Sequence, residues 1–285
     1  MKILFVFLQY CLPQHLLSRC VGALAESKLN LIKNPLIALF IKAFKVDMSE
    51  AQEEDASQFS SFNDFFVRPL KTSARPLCGD SEAIASPADG VISQIGEIDR
   101  GYLLQAKGKE FSVTALLGGD DYLSQGFSGG KFATVYLSPK DYHRVHMPFD
   151  GQLQTMVHVP GDLFSVNSAT TDLVDQLFAR NERVVTIFDT NAGPMAVVLV
   201  GAMIVASIET VWAGQITPYK KMIRTTHYPS DTDEVNLNKG EEMGRFKLGS
   251  TAIVLFGPDM VEWDDELVAG SAVKMGQRIG TLINV

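Results

Sequence analysis

Two of the five histidines fall in one short stretch, Tyr142-His143-Arg144-Val145-His146-Met147-Pro148, directly after an apolar run over 131–137. Imidazoles change charge near neutrality and serve as bases, proton donors or metal ligands, so a pair at a strand end is a candidate centre. A carboxylate is offered on a tight turn by Ser86-Pro87-Ala88-Asp89-Gly90. Gly90 permits unusual backbone angles there, and Asp89 either caps the turn or orients an imidazole. Gly126-Phe127-Ser128-Gly129-Gly130 has the spacing of a nucleophile elbow. That elbow needs a strand before the serine and a helix after it, whereas here a strand follows. Gly249-Ser250 runs straight into the apolar strand Ala252-Ile253-Val254-Leu255-Phe256, and a lone Gly-Ser in that place is by itself only a turn.

The elements that must position these residues are legible in outline. With 285 residues, 46% hydrophobic and 20% charged, the chain has the composition of a folded protein. A net charge of −8 argues against nucleic acid as a partner, since phosphate-backbone binders carry a basic face. The charge is unevenly spread. Lys2, Arg19, Lys28, Lys33, Lys42 and Lys45 face Glu26 alone within residues 1–46, a balance of +5 that leaves −13 on the remainder. Cys11, Cys20 and Cys78 are odd in number and lack Cys-x-x-Cys spacing, which fits a reducing, cytoplasmic setting. Ile3 to Leu8 is too short an apolar run to cross a bilayer, and Pro13, Gln14, His15 and Arg19 separate it from the signal-peptide-like Ala23-Leu24-Ala25.

Leu16, Leu17, Cys20, Val21 and Leu24 recur at helical spacing behind Pro13, and Asn34-Pro35 signals a second helix through Phe44. Their apolar faces either pack on the body or, given the lysines, rest on an anionic lipid surface. Residues 47–61 read as a solvated connection, and Phe62, Phe65 and Phe66 share one face of a short helix closed by Pro69. Beyond residue 83, short β-branched runs separated by turn residues predict strands over 90–95, 131–137, 152–159, 183–189, 195–207, 250–256 and 273–282. The fold class expected is α+β, with N-terminal amphipathic helices followed by a β-rich body and no parallel strand-helix-strand sheet.

Gly244-Arg245-Phe246-Lys247-Leu248-Gly249-Ser250-Thr251 resembles the processing segment of the bacterial phosphatidylserine decarboxylases. Phe62-Asn63-Asp64-Phe65-Phe66-Val67-Arg68, the Asp89 turn, the two-histidine stretch, Pro160–Asn167 and Val200-Gly201-Ala202 agree with that family in the same order, from about residue 60 to the C-terminus. Ile204 and Ala206 depart from it, standing where an amide residue and a glycine are more usual. The resemblance implies a chain that cuts itself at Gly249-Ser250 into 1–249 and 250–285 and makes a covalent pyruvoyl cofactor from Ser250. A serine becomes a nucleophile when a histidine oriented by a carboxylate takes its proton, and Asp89, His146 and Ser250 are the implied triad. Decarboxylation leaves an electron pair that needs a sink, which the pyruvoyl carbonyl would supply as a Schiff base with the lipid's serine amine. His143 is the implied proton donor.

The domains expected are 1–60, a helical membrane-associating segment, and 61–285, a β-rich catalytic domain. The expected partners are phosphatidylserine, an anionic membrane surface and the chain's own fragments held as a heterodimer, itself paired as a homodimer. The expected location is peripheral, on the cytoplasmic side of the cell membrane. Two other readings use the same residues: a metal site of His143, His146 and Asp89, and a non-catalytic β-rich lipid-binding module in which these motifs are only turns.

Overall fold

The computed structural model describes residues 2–204, 207–217, 222–228, 234–247 and 250–283. The chain opens with helices α1 (Lys2–Cys11), α2 (Gln14–Ala25) and α3 (Asn30–Phe44), followed by the short α4 (Phe62–Phe66). Pro13 stands at the N-cap of α2, where a missing N–H costs nothing. Helix α3 begins at Asn30, a turn earlier than Asn34-Pro35 suggests, because the Leu29 carbonyl takes the amides of Ile32 and Lys33. Pro35 is carried inside the helix. Ser61 caps α4 by accepting from the Asp64 amide. Of the expected solvated connection, Gln52 to Asp55 are exposed, while Ala51, Phe59 and Ser61 are buried.

The body starts with β1 (Ala83–Ala85), β2 (Gly90–Glu97), β3 (Tyr102–Ala106) and β4 (Lys109–Ser112), then α5 (Val113–Leu116), α6 (Asp121–Gln125) and β5 (Lys131–Leu137). Next come β6 (Arg144–His146), β7 (Gly151–Val159), α7 (Ser168–Thr171), α8 (Leu177–Arg180), β8 (Arg183–Thr190) and β9 (Gly193–Gly201). The remainder is strand: β10 (Ser207–Thr210), β11 (Gly214–Gln215), β12 (Arg224–His227), β13 (Asn236–Leu237), β14 (Glu242–Lys247), β15 (Ser250–Phe256), β16 (Val261–Trp263), β17 (Ala272–Val273) and β18 (Arg278–Leu282). Two expected strands are broken in the middle. The 195–207 run splits between β9 and β10, where Ile204 takes a left-handed φ of 72°, and the 273–282 run splits at the Gly276 turn, φ 83°.

The architecture is α+β, and the ladders between the named strands are antiparallel. The large sheet runs β12-β7-β8-β9-β15-β5-β2-β17, with β13 also on β7, and a smaller sheet runs β11-β10-β14-β6. Strand β15 lies centrally, with Ser250 opposite Gly201 of β9 on one side and Leu137 of β5 on the other. All seven of its residues are buried. Its Ala252, Val254 and Phe256 share a core with Val145, Met147 and Phe246 of the smaller sheet's layer, while Ile253 and Leu255 enter a second core on the opposite face. A third cluster joins Ala25 and Ile37 of the helical front to Phe59, Phe62, Phe65 and Phe66.

Candidate active site

Strand β14 ends at Lys247 in the smaller sheet and β15 begins at Ser250 in the large one. Leu248 and Gly249, the two residues expected just before the cut, lie outside the described residues. Side chains alternate along a strand, so Ser250 is on the face of Ala252 and Val254, the face that packs toward the smaller sheet. Its hydroxyl is buried and makes no hydrogen bond. A buried hydroxyl without a partner is costly, which marks the position as one where something other than stability governs the residue.

Both histidines sit at β6, on the sheet that Ser250 faces, and they are held differently. The Phe246 amide donates to the His143 carbonyl at 3.0 Å, so His143 lies beside the end of β14 that leads to Ser250, whereas His146 is opposite Glu242 at the other end. The His143 ring is fully buried and lies 4.0 Å, centroid to centroid, from Phe66. Its Nδ1 is 2.8 Å from the Asp141 carbonyl. A carbonyl can only accept, so Nδ1 carries the proton and Nε2, buried without a partner, bears the lone pair. Burial pushes this imidazole down to about 3, with the nearby Arg68 charge acting in the same direction. His146 donates from Nδ1 to the Gly240 carbonyl at 2.8 Å, and its Nε2 accepts from the Tyr142 hydroxyl at 3.0 Å. Burial lowers its pKa too, against the raising effect of the Gly240 bond. Both rings are therefore neutral at pH 7 and present Nε2 as a base.

Asp89 is placed by its turn. The Ser86 hydroxyl donates to the Ala88 carbonyl at 2.9 Å, and the His146 amide donates to the Pro87 carbonyl at 2.8 Å, which fastens the turn to the histidine strand. Gly90 runs so close to β5 that a Cβ there would lie 2.2 Å from the Tyr136 carbonyl oxygen. The Asp89 carboxylate neither caps its own turn nor bonds an imidazole. It is clamped by the Arg75 guanidinium, Nε to Oδ1 at 2.8 Å and Nη2 to Oδ2, and accepts the Met275 amide at 2.9 Å. Arg75 in turn holds Glu50 at 2.7 Å. The fold thus brings the Asp89 turn beside His146 and faces Ser250 toward their sheet, but it does not join the three side chains by hydrogen bonds.

A cavity of about 570 Å³ opens here, lined by Arg68, Arg75, Asp89, Lys140, Tyr142 and Lys274 among others. Arg68 is buried and donates from Nη2 to the Lys140 carbonyl at 3.3 Å, while its Nε is buried without a partner. Arg75, Tyr142 and Gly240 receive no role from the sequence alone. Tyr142 and Gly240 flank motifs, whereas nothing about Arg75 in the sequence distinguishes it from a surface arginine. Among the described residues, no three His, Cys, Asp or Glu side chains are grouped to hold a metal ion.

A family profile described as phosphatidylserine decarboxylase matches residues 62–281, and one described as PSD matches residues 4–45. A protein of Ectopseudomonas mendocina named phosphatidylserine decarboxylase proenzyme is 61% identical over 278 residues, 97% of each chain. Proteins of the same name from Pseudomonas fluorescens and Pseudomonas putida are 60% and 58% identical, covering 98% and 97% of this chain and 97% and 96% of their own.

Proposed function

The chain belongs to the phosphatidylserine decarboxylase family, and from that premise we propose that it cuts itself at Gly249-Ser250 and then converts phosphatidylserine to phosphatidylethanolamine and CO2. The observation that carries the reading is the buried, unbonded Ser250 hydroxyl at the head of a central strand, facing the sheet that bears two neutral imidazoles. In the cut, Ser250 Oγ loses its proton to an imidazole and attacks the Gly249 carbonyl carbon. The C–N bond breaks and an ester takes its place. Loss of the Ser250 Cα proton then expels the upstream chain as a carboxylate, and the remaining dehydroalanine takes up water and releases ammonia to leave a pyruvoyl group. That group fits where Ser250 stands, because the position is buried and its oxygen has no other bond to give up. When present, its carbonyl supplies the electron sink that decarboxylation requires.

We assign His146 as the base in the cut, Asp89 as the carboxylate beside it, and His143 as the proton donor in turnover, a role for which its neutral Nε2 first takes up the proton that the substrate's ammonium group gives up. The bond from the His146 amide to the Pro87 carbonyl and the neutral Nε2 of His146 support this assignment. For Asp89 to serve His146, the Arg75 clamp must be shared or released. A second reading exchanges the histidines, and one observation favours it: His143 Nε2 is buried without a partner, beside the end of β14 that leads to Ser250. Gel mobility and released CO2, measured on each purified variant, separate the two. Under the first reading, His146→Ala, Asp89→Ala and Ser250→Ala stay uncut, while His143→Ala is cut and turns over poorly. An uncut His143→Ala beside a normally cut His146→Ala establishes the second.

Cleavage leaves the 250–285 fragment in place. It contributes β15, and Ile253, Val254, Leu255 and Phe256 are fully buried, each worth roughly 1.5–3 kcal/mol of burial.

We take 1–60 as the membrane-associating segment and 61–285 as the catalytic body. Helices α1 and α2 bury Val6, Gln9, Ser18, Gly22 and Ala25 against the body, while most of their large apolar side chains, Ile3, Leu4, Phe7, Leu8, Leu16 and Leu24 among them, are exposed. Leu31 of α3 is 93% exposed. No helix among the described residues is long and apolar enough to cross a membrane, and we take this exposed apolar face as a surface that rests on an anionic bilayer.

A further inference from the structure

The Pro160–Asn167 stretch stands out in the sequence, yet the chemistry above leaves it without a task. In the fold its backbone is held from outside by the helical front. The Leu163 amide donates to Gln14 Oε1 at 2.6 Å and the Ser165 amide to Gln9 Oε1 at 2.8 Å. Gln9 Nε2 reaches the Thr170 hydroxyl at 3.3 Å, and Gln14 Nε2 donates to the Gln9 backbone carbonyl at 2.8 Å, which ties the start of α2 to the end of α1. One turn on, Ser18 Oγ accepts the amide of Ile204, the residue with the left-handed backbone. Tyr10 meets Phe164 edge-on at 4.7 Å, and the Arg180 guanidinium lies over both rings.

From the loop the connection continues inward. Asn181, fully buried, accepts the Phe164 amide at 3.1 Å and donates to the carbonyls of Phe164 at 2.8 Å and Gly201 at 2.9 Å. Gly201 is the β9 residue opposite Ser250. An unbroken series of hydrogen bonds therefore runs from the helices with the exposed apolar face to the backbone flanking Ser250.

Burial of Gln9, 2% exposed on a helix whose outer face is apolar, is hard to explain as packing. A leucine would fill the space without the desolvation cost that an amide meets there. The amide is instead the acceptor for a loop N–H that would otherwise be orphaned. Resting on the assignment of Ser250 as the reacting residue, we propose that Gln9 and Gln14 are positioning residues. They fix the 161–167 loop against Asn181 and Gly201, so that the surface meeting the bilayer and the wall of the Ser250 site hold one geometry.

The test uses the full chain with Gln9→Leu, which removes the acceptor at nearly constant volume, and Gln9→Glu, which keeps an oxygen for the Ser165 amide. Gln14→Met, at a half-buried position, serves if Gln9→Leu does not fold. Three quantities are measured: amide exchange at Leu163 and Ser165, sedimentation with phosphatidylglycerol-containing vesicles, and KM and kcat per cleaved chain on a short-chain, water-soluble phosphatidylserine. In Gln9→Leu the Ser165 amide should exchange about tenfold faster, as expected for loss of one buried hydrogen bond. KM should rise several-fold while vesicle binding is unchanged, and Gln9→Glu, whose carboxyl oxygen still accepts the Ser165 amide, should recover part of both effects, less the cost of burying a carboxyl group. Simple destabilisation lowers the active fraction without moving KM. Wild-type KM and kcat in Gln9→Leu despite faster exchange would overturn the proposal, as would unchanged exchange. If Ser250 is not the reacting residue, the wild-type chain itself is not cut at Gly249-Ser250, and the exchange measurement still decides whether the tie exists.

Discussion

Adding a single methyl group at Gly90 should slow self-cleavage by about two orders of magnitude in a chain that still folds. A Cβ at this position would sit 2.2 Å from the Tyr136 carbonyl oxygen, and ordinary contact begins near 3.4 Å, so β2 and β5 must part locally by about 1 Å. Asp89 is the adjacent residue, and its turn is bonded to the His146 amide, so the displacement falls on the carboxylate and on the strand carrying the base. A misplacement of about 1 Å costs on the order of 100-fold in rate where reacting groups must be aligned, whereas overpacking costs roughly 1–3 kcal/mol of stability. The assay is the half-time of conversion to the 1–249 and 250–285 fragments after synthesis, followed on a gel. Gly96→Ala is the control: it lies on the same strand, and a Cβ there meets nothing within 4 Å. It should cleave as wild type does. Equal half-times in the two variants would refute the argument that the approach of Gly90 to β5 positions Asp89.

Deleting residues 1–46 should release the protein from anionic vesicles, because that segment carries the exposed apolar face and the excess of positive charge; a truncated chain that sediments as completely as the full one would place membrane contact elsewhere. The fold should also lose stability in mild acid through His143. The ordinary histidine value is 6.5 and the folded value about 3, so the unfolded chain binds the extra proton between them. Stability is complete above about 6.5 and falls toward pH 3, by on the order of 2–3 kcal/mol at pH 4.5. Melts at pH 7 and 4.5 should show a smaller drop for His143→Asn than for wild type, and an equal drop would remove His143 as the cause.

What could be read in the sequence follows from how local its cause is. Strands 131–137 and 250–256 emerge with their observed limits because each is a β-branched or aromatic run bounded by Gly or Pro-Lys turns. The run over 195–207 is equally apolar, yet it breaks at Ile204 because the chain leaves one sheet for another, a tertiary event without a local mark. Strand β14 was hidden for the opposite reason. Glu242, Arg245 and Lys247 make it look solvated, and only their pairing with Arg144 and Glu209 shows why charged residues suit it. Helical spacing located α2 and α3, but not the direction of their apolar residues, because periodicity is blind to which face has a partner. At the site, the residue types at Asp89, His143, His146 and Ser250 are visible in the chain. The clamp on Asp89 is not, since it depends on Arg75, Glu50 and Met275 meeting across long sequence separations.

The central claim is that Ser250 becomes the N-terminal carbonyl group of a new fragment, and mass spectrometry of the purified protein with and without a carbonyl reagent tests it most directly. The account predicts that fragment 250–285 carries pyruvoyl in place of Ser250, adds one equivalent of the reagent and resists stepwise N-terminal sequencing. A fragment 250–285 beginning with a free serine amine, or an intact chain that decarboxylates phosphatidylserine, would contradict it.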